Sequence, residues 1–184
     1  MRVIAGRLKG RNLKSVSGKM TRPTGDKVKE SIFHMMGPYF NGGKCLDLFA
    51  GSGSLGIEAI SRGMDRVIFI DKSSLAIKTI RQNVDTLSIQ SQCEIYRNSA
   101  YRAIEILSKK KCSFDLIILD PPYEKGNYQK LIHMIVEHHL INDYGLVYLE
   151  HNPQENITFN PNQFKALHEK NYNASTGITV LQKT

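Results

Sequence analysis

The sequence predicts an α/β fold built on a doubly wound, mostly parallel sheet. Two observations carry this prediction: short apolar runs alternate with helical patterns along the chain, and a glycine-rich turn joins the first run to the next helix. The predicted strands lie near residues 44–48, 67–71, 93–97, 114–119 and 144–149. The predicted helices lie near residues 54–62, 73–87, 99–110 and 128–140. Because strands that alternate with helices are usually parallel, we expect one sheet with helices on both faces.

The flanking segments add a helix before this core and a strand after it. Thr24 or Asp26 is expected to cap a first helix that ends near Gly37, and Ser73 is expected to cap the helix that follows the second strand. Residues 177–181 predict an antiparallel edge strand near the end of the chain.

Basic charge is concentrated at the start of the chain. Residues 1–30 contain nine Lys or Arg residues and two carboxylates, which accounts for +7 of the net charge of +8. Such a concentration of cations attracts polyanions and makes their binding salt-dependent. Apolar and polar residues alternate around two glycines in this segment, which predicts a short curled β-hairpin; an unstructured tail is the alternative. We expect residues 1–184 to form a single domain, with residues 1–24 as a basic arm and residues 25–184 as the core.

The composition argues against several classes of protein. The longest apolar runs span five or six residues, which is too short to cross a membrane. The first residues lack the apolar stretch of a secretory signal, so we expect a cytoplasmic protein. Three cysteines without C-x-x-C spacing argue against a disulfide framework or a zinc site, and no metal is expected.

A glycine-rich turn follows the first predicted strand. Gly51, Gly53 and Gly56 fit the pattern G-x-G-x-x-G, and Asp71 closes the next strand, where an acidic residue can accept a hydrogen bond from a ribose hydroxyl. Asp47 lies at the approach to the turn, and a carboxylate there repels a phosphate but attracts an ammonium or sulfonium group. The pattern therefore favours S-adenosylmethionine over NAD. Alternatively, the Asp47 side chain accepts hydrogen bonds from amides of its own loop.

The motif Asp120-Pro121-Pro122-Tyr123 follows the apolar run of residues 114–119, so it is expected at the carboxyl end of a buried strand. Two prolines fix φ and remove two backbone donors, which leaves a stiff turn with free carbonyl acceptors. Asp120 and a proline carbonyl can accept hydrogen bonds from a planar amine while Tyr123 stacks on the ring that carries it. The motif predicts an amine-binding loop; a plain strand-ending turn is the alternative.

The predicted topology brings these two motifs together. In a doubly wound sheet, ligands bind beyond the carboxyl ends of the strands, at the switch in strand order. The first and fourth predicted strands flank that switch, so the glycine turn and Asp120 are expected to share one crevice. A sulfonium methyl group and a target amine would meet there, and their reaction depends more on positioning and electrostatics than on a strong base.

The chain resembles the bacterial small-subunit ribosomal RNA guanine-N2 methyltransferases of the RsmD type, which are class I methyltransferases with a Rossmann-like fold. The resemblance covers nearly the whole chain and rests on the Asp-Pro-Pro-Tyr motif and on residues 2–6, 9–11, 21–24, 47–53 and 56–59. It implies that S-adenosylmethionine donates one methyl group to the exocyclic N2 amine of a guanine in 16S rRNA, leaving S-adenosylhomocysteine. The implied substrate is an assembling small ribosomal subunit, and the implied enzyme is a monomer.

The resemblance and the motifs together assign roles to individual residues. The expected catalytic residues are Asp120, Pro121, Pro122 and Tyr123. The expected cofactor contacts are Asp47, Phe49, Ala50, Gly51, Ser52, Gly53, Asp71, Lys72, Asn98, Ser99, Ala100 and Asp120. The expected RNA contacts are Arg2, Arg7, Lys9, Arg11, Lys14 and Arg22.

Two positions depart from the family pattern, and several other functions share part of it. Asn98 and Ser99 stand where relatives often place an Asp or Asn against adenine, and Asp71 stands where Glu is frequent. Amino-methyltransferases that act on DNA or on protein glutamine use related proline loops. An NAD-dependent oxidoreductase would share the glycine turn, and a noncatalytic RNA-binding assembly factor would share the basic arm.

Overall fold

Seven strands form one sheet in the computed structural model, which describes residues 1–16, 25–121 and 127–184. The strands are β1 (Lys44–Asp47), β2 (Arg66–Asp71), β3 (Cys93–Arg97), β4 (Phe114–Leu119), β5 (Ile141–His151), β6 (Phe164–Asn173) and β7 (Thr176–Lys183). The α-helices are α1 (Asp26–Met36), α2 (Ser54–Ser61), α3 (Ser74–Leu87), α4 (Ala100–Lys109) and α5 (Tyr128–Glu137). A single 3₁₀ turn, Gln90–Gln92, precedes β3.

The strand order is β3-β2-β1-β4-β5-β7-β6, and the first five strands in this order are parallel. Chain connections run outward from β1 on one side and from β4 on the other, so the switch in strand order lies between these two strands. The predicted α/β class, the parallel core and the position of the switch are confirmed.

Helices cover both faces of the sheet, as the parallel core requires. On one face, α1, α2 and α3 pack on a buried cluster that includes Cys45, Ile118 and Tyr148. On the other face, α4 and α5 pack on a second cluster that includes Leu46 and Leu149. Side chains of one strand alternate between the faces, so residues two apart, such as Tyr148 and Glu150, point to the same face. Across the parts of the chain that the structure describes, no helix is long and apolar enough to cross a membrane.

The two C-terminal strands require a correction. The strand predicted at residues 177–181 is β7, and it is antiparallel as expected. It is not an edge strand, because it lies between β5 and β6, and β6 forms the edge. The pairing of β7 on both sides explains why most of its residues are buried, whereas β6 is mostly exposed.

The helix caps agree with the sequence in one case and differ in another. Ser73 caps α3 by accepting a hydrogen bond from the Ala76 amide. Asp26 is not the cap of α1: Gly25 occupies that position, and Asp26 lies in the first turn, where its carboxylate pairs with Arg2. Thr24, the other predicted cap, lies outside the described residues.

Residues 1–16 form a curled segment that packs against the core. Its ends pair through an antiparallel bridge between Arg2 and Asn12, and Val3 exchanges backbone hydrogen bonds with Gly10 and Arg11. Buried apolar side chains, among them Val3 and Leu8, join this segment to the cluster under α2 and α3. The predicted hairpin is therefore present in a short form, with one side inserted into the core.

A buried carboxylate fastens this segment to α2. The carboxylate of Glu58 accepts hydrogen bonds from the amides of Ile4 and Ala5, both at 2.9 Å, and from Nε of Arg62 at 2.8 Å. Nζ of Lys29 lies 3.4 Å from the same carboxylate and donates to the carbonyl of Arg2. Charge and backbone donors together compensate the burial of Glu58.

Candidate active site

Asp47 and Asp120 lie at the carboxyl edge of neighbouring parallel strands. Asp47 is the last residue of β1 and pairs in register with Ile118 of β4, and Asp120 directly follows β4. Both carboxylates therefore lie at the switch in strand order, where a doubly wound sheet opens a crevice. The fold thus places the glycine turn and Asp120 at the same edge of the sheet.

Backbone hydrogen bonds to the strands on both sides of β1 hold the start of the glycine turn. The Leu48 amide donates to the carbonyl of Ile118 at 3.2 Å, and the Ala50 amide donates to the carbonyl of Ile70 at 3.0 Å. Gly51 and Gly53 have φ values of 55° and 80°, a region that L side chains rarely adopt. Among the described residues, a Cβ at Gly51 would have no heavy atom within 4 Å, so these residues leave space for a ligand here.

Gly56 has a different role from the first two glycines. A Cβ at this position would lie 2.4 Å from a ring carbon of Phe69 and 2.9 Å from a methyl carbon of Val67. The third glycine of the motif therefore allows α2 to pack closely on β2, and it does not face the crevice.

Asp71 lies beside the glycine turn, as the spacing predicts. Its carboxylate accepts hydrogen bonds from the Gly51 amide at 2.9 Å and from the Ser73 amide at 2.8 Å. These two bonds fix the carboxylate between the turn and the start of α3. Each oxygen keeps a second lone pair, so a ribose hydroxyl can still donate to it.

Asp47 is fully buried and accepts hydrogen bonds from the backbone amides of Gly56 and Phe49. Burial, with a smaller contribution from the negative charge of Asp71, raises the pKa of Asp47 to about 7. The alternative considered from the sequence is therefore present: Asp47 does bind amides of its own loop. The raised pKa also means that a cation placed beside Asp47 would stabilise its ionised form.

Asp120 is partly buried and belongs to an acidic cluster that the sequence analysis did not identify. Burial and the negative charges of Glu150 and Asp47 raise the pKa of Asp120 well above its ordinary value. Glu150 follows Leu149 on β5, and the Tyr148 hydroxyl donates to its carboxylate at 3.1 Å. Glu150 could have been noticed as an acidic residue directly after an apolar run, but the predicted strand of residues 144–149 ends one residue before it.

The proposed adenine contacts lie at the ends of β2 and β3. The Asn98 amide donates to the carbonyl of Asp71, and its side-chain oxygen accepts from the Ser99 amide at 3.0 Å. Ser99 caps α4 by accepting from the Arg102 amide. Lys72 is exposed at the same edge. The side-chain oxygens at positions 98 and 99 each accept one local bond and keep a second lone pair, so both these side chains and nearby backbone groups are candidates for contacts with adenine.

The other predicted site residues divide into three groups. Phe49 is half-buried against the α4 face, Ala50 is buried within the turn, and Ala100 is buried at the start of α4. Ser52 lies at the turn, where its carbonyl accepts from the Asn83 side chain. Three predicted residues, Pro122, Tyr123 and Arg22, lie outside the described residues, whereas Pro121 is described and buried.

The arm cations are exposed on the surface next to the glycine turn. Lys9 and Lys14 are exposed, Arg2 pairs with Asp26, and Arg7 donates to the Gln92 side chain. Arg11, also exposed, donates to the carbonyl of Thr86 at 3.1 Å. The turn and the arm are connected by Asn83 of α3. Its amide nitrogen donates to the carbonyls of Ser52 and Lys14, and its oxygen accepts from the Lys14 amide.

The described parts of the chain contain no group of three or more His, Cys, Asp or Glu residues that could hold a metal ion. The glycine turn, the Asp71 carboxylate beside it and the Asp120 carboxylate lie at one carboxyl edge of the parallel sheet. This fold and these elements define a class I methyltransferase.

Comparison with known proteins gives the particular family. The family model described as "Conserved hypothetical protein 95" matches residues 1–181. The chain is 44% identical to YlbH of Bacillus subtilis over 183 residues, covering 100% of this chain and 99% of that protein. It is 34% identical to the ribosomal RNA small subunit methyltransferase D of Haemophilus influenzae, covering 97% of this chain and 90% of that protein. The chain belongs to the small subunit methyltransferase D family.

Solved structures agree with this assignment. The yhhF structure from Escherichia coli has a TM-score of 0.83 and 27% identity, and covers 100% of this chain and 97% of that one. The SMU.776 structure, complexed with SAH, has a TM-score of 0.70 and 14% identity, covering 85% of this chain and 48% of that one. At this identity the second likeness shows the fold.

Proposed function

We propose that the protein transfers a methyl group from S-adenosylmethionine to the exocyclic N2 amine of a guanine in 16S rRNA. The observation that carries the proposal is the common edge of β1 and β4, where the glycine turn follows one strand and Asp120 follows the other. The similarity to ribosomal RNA small subunit methyltransferase D of Haemophilus influenzae supports the choice of rRNA as substrate. We further propose a cytoplasmic monomer that acts on an assembling small subunit.

The cofactor is proposed to lie across the glycine turn. Asp71 would accept from its ribose hydroxyls, and Asp47 with the amides of the turn would hold its methionine end. Phe49, Ala50 and Gly53 would shape the turn, and backbone groups near Ser99 would meet the adenine. S-adenosylmethionine supplies the electrophilic methyl group when it is bound.

The target amine is proposed to lie against Asp120 and the carbonyl of Pro121. The guanine N2 lone pair is delocalised into the ring, so attack requires the nitrogen to become pyramidal. Hydrogen bonds from the amine to Asp120 and Pro121 favour this change, and Tyr123 is proposed to stack on the base. The arm cations would bind rRNA phosphates and orient the substrate.

The substrate assignment is tested in a strain that lacks the protein. We expect one guanine of its 16S rRNA to lack an N2 methyl group, which mass-spectrometric mapping of the RNA would detect, and complementation should restore it. Unchanged 16S rRNA would reject the substrate; methylation of DNA or of a protein glutamine instead would select that alternative. Calorimetry with S-adenosylhomocysteine and with NAD separates a methyltransferase from an oxidoreductase, and from an assembly factor that binds neither.

The role of Asp120 is tested by substitution. Asp120→Ala removes an acceptor whose hydrogen bond tightens in the transition state, so kcat should fall by about two orders of magnitude while cofactor affinity is retained. The measurement is transfer of a tritiated methyl group to small subunits from the strain that lacks the protein. Asp143→Ala is the matched control, because Asp143 is an exposed carboxylate on β5. A wild-type rate in Asp120→Ala would contradict the proposed amine site.

A further inference from the structure

Asp120 and Glu150 form a side-by-side carboxyl pair across two parallel strands. Leu119 of β4 and Leu149 of β5 are paired in register, and each acidic residue follows one of them directly. Neighbouring strands lie about 4.8 Å apart, and residues at equivalent positions point to the same face. The two carboxyls therefore project together from the edge that holds the glycine turn.

One further carboxylate and two tyrosine hydroxyls lie near this pair. Asp47 acts on Asp120 from β1, and the Tyr148 hydroxyl lies on β5 beside Glu150. Tyr172 of β6 faces Tyr148 and donates to the Ser31 hydroxyl of α1. The negative charge of Asp47 disfavours a second negative charge on the pair, so the pair retains a proton more strongly than an isolated carboxyl does.

Hydrogen bonds distinguish the two members of the pair. The Tyr148 hydroxyl donates to a carboxylate oxygen of Glu150, and the Tyr128 hydroxyl donates to its backbone carbonyl at 2.5 Å. Both contacts hold Glu150 in place within the sheet, where 8% of its surface is exposed. Donation from Tyr148 favours the charged form of Glu150, so Asp120 is the member of the pair that takes up and releases a proton.

We propose that Glu150 is a positioning residue whose fixed negative charge makes Asp120 the proton acceptor of the methyl transfer. This inference rests on the proposed function, and it adds a residue that does not touch the substrate. Tyr148 is the group that keeps Glu150 charged.

The proposed step balances as follows. The amine lone pair forms the new N–C bond, and the C–S bond breaks with its electron pair going to sulfur. The methylated nitrogen then carries a positive charge and one proton in excess. That proton passes to the ionised carboxylate of Asp120, which releases it to solvent before the next cycle.

The inference is tested with single-turnover methylation of small subunits between about pH 5.5 and 9. In Glu150→Gln the loss of the neighbouring charge makes Asp120 easier to ionise, so the acidic limb of the rate profile should move down by about 1 pH unit. In Tyr148→Phe Glu150 loses the donor that favours its charge, so Glu150 takes up part of the proton and the limb should move down as well, by a smaller amount. The affinity for S-adenosylhomocysteine should be unchanged in both variants.

Displacement of the acidic limb to lower pH separates this role from a structural one. If these residues only stabilised the fold, their substitution would lower the unfolding temperature and the plateau rate without moving the acidic limb. Superimposable pH profiles in wild type and both variants would therefore overturn the inference. If Glu150→Gln does not fold, Tyr148→Phe still decides, because its ring remains in place. A ¹³C NMR titration of the Asp120 carboxyl in wild type and Tyr148→Phe needs no RNA. It therefore tests the carboxyl pair even if the rRNA proves to be the wrong substrate.

Discussion

The ionisation of Asp47 should be coupled to the binding of a positively charged ligand group. Its carboxyl is buried at the end of β1 and has a pKa raised to about 7. A raised pKa means that the free protein holds a proton on Asp47 through slightly acidic pH. A ligand cation beside the carboxylate favours the ionised form, so the bound state should release this proton.

Cofactor affinity should therefore rise with pH. Between about pH 6 and 8 the free protein loses the proton that binding would otherwise expel, so S-adenosylhomocysteine should bind more tightly at the upper end. Asp47→Asn should bind more weakly at pH 8 and lose this pH dependence. Calorimetry in two buffers of different ionisation enthalpy measures the released proton directly. Asp143→Asn is the control, and an equal pH dependence in wild type and Asp47→Asn would contradict a contact between Asp47 and a cation.

At the scale of the elements, α2 is anchored by charge as well as by apolar packing. Glu58 is completely buried and receives backbone donors from residues 4 and 5, while Arg62 and Lys29 supply positive charge. Burial lowers the pKa of Lys29, and the charge of Glu58 opposes that shift. Removing Glu58 would leave two buried cations without their common partner.

The stability of the fold should therefore depend on Glu58. Glu58→Gln keeps the volume of the side chain but removes the charge, and we expect the free energy of unfolding to fall by about 3–5 kcal/mol in urea titrations. Glu105→Gln on the exposed face of α4 is the matched control and should change stability by less than about 0.5 kcal/mol. A Glu58→Gln variant as stable as this control would show that the buried charges contribute little.

The sequence predicts those elements whose signal is local. The predicted strand over residues 114–119 matches β4, because a parallel central strand is apolar along its whole length. β6 was missed because it is an edge strand with mostly exposed polar residues, and its partner is β7. Asp47, Gly51 and Asp71 could be predicted from motif spacing. Glu150 could not be identified in this way, since its position in the site depends on the register between β4 and β5.

At the scale of the whole molecule, the arm and the crevice lie close together. Deleting residues 1–15 is a poor test of RNA binding, because the deletion would also uncover Glu58 and remove contacts with Asn83 and the glycine turn. Substitution of exposed arm cations avoids this problem. Lys9 and Lys14 are exposed, and substitution can remove their charges without disturbing the buried face of the arm.

Lys9→Gln combined with Lys14→Gln should weaken RNA binding and reduce its salt dependence. Each phosphate contact that is lost should lower the slope of log K against log salt by about 0.7 to 0.9. The measurement is binding of 16S rRNA fragments at several salt concentrations. Lys109→Gln and Lys165→Gln, at exposed sites on α4 and β6, form the control pair. An unchanged slope in the arm variant, or an equal loss in the control, would place the RNA surface elsewhere.

The hydrogen bonds from residues 4 and 5 to Glu58 should reduce the conformational entropy that the arm loses when it binds a polyanion. The first residues of a chain usually fray, and a basic tail that becomes ordered only on contact loses conformational freedom at that moment. Here the backbone of residues 1–16 is held by a buried carboxylate and by apolar side chains in the core. The arm cations are therefore attached to a backbone that is ordered before a polyanion binds. Binding then loses less free energy to ordering of the protein.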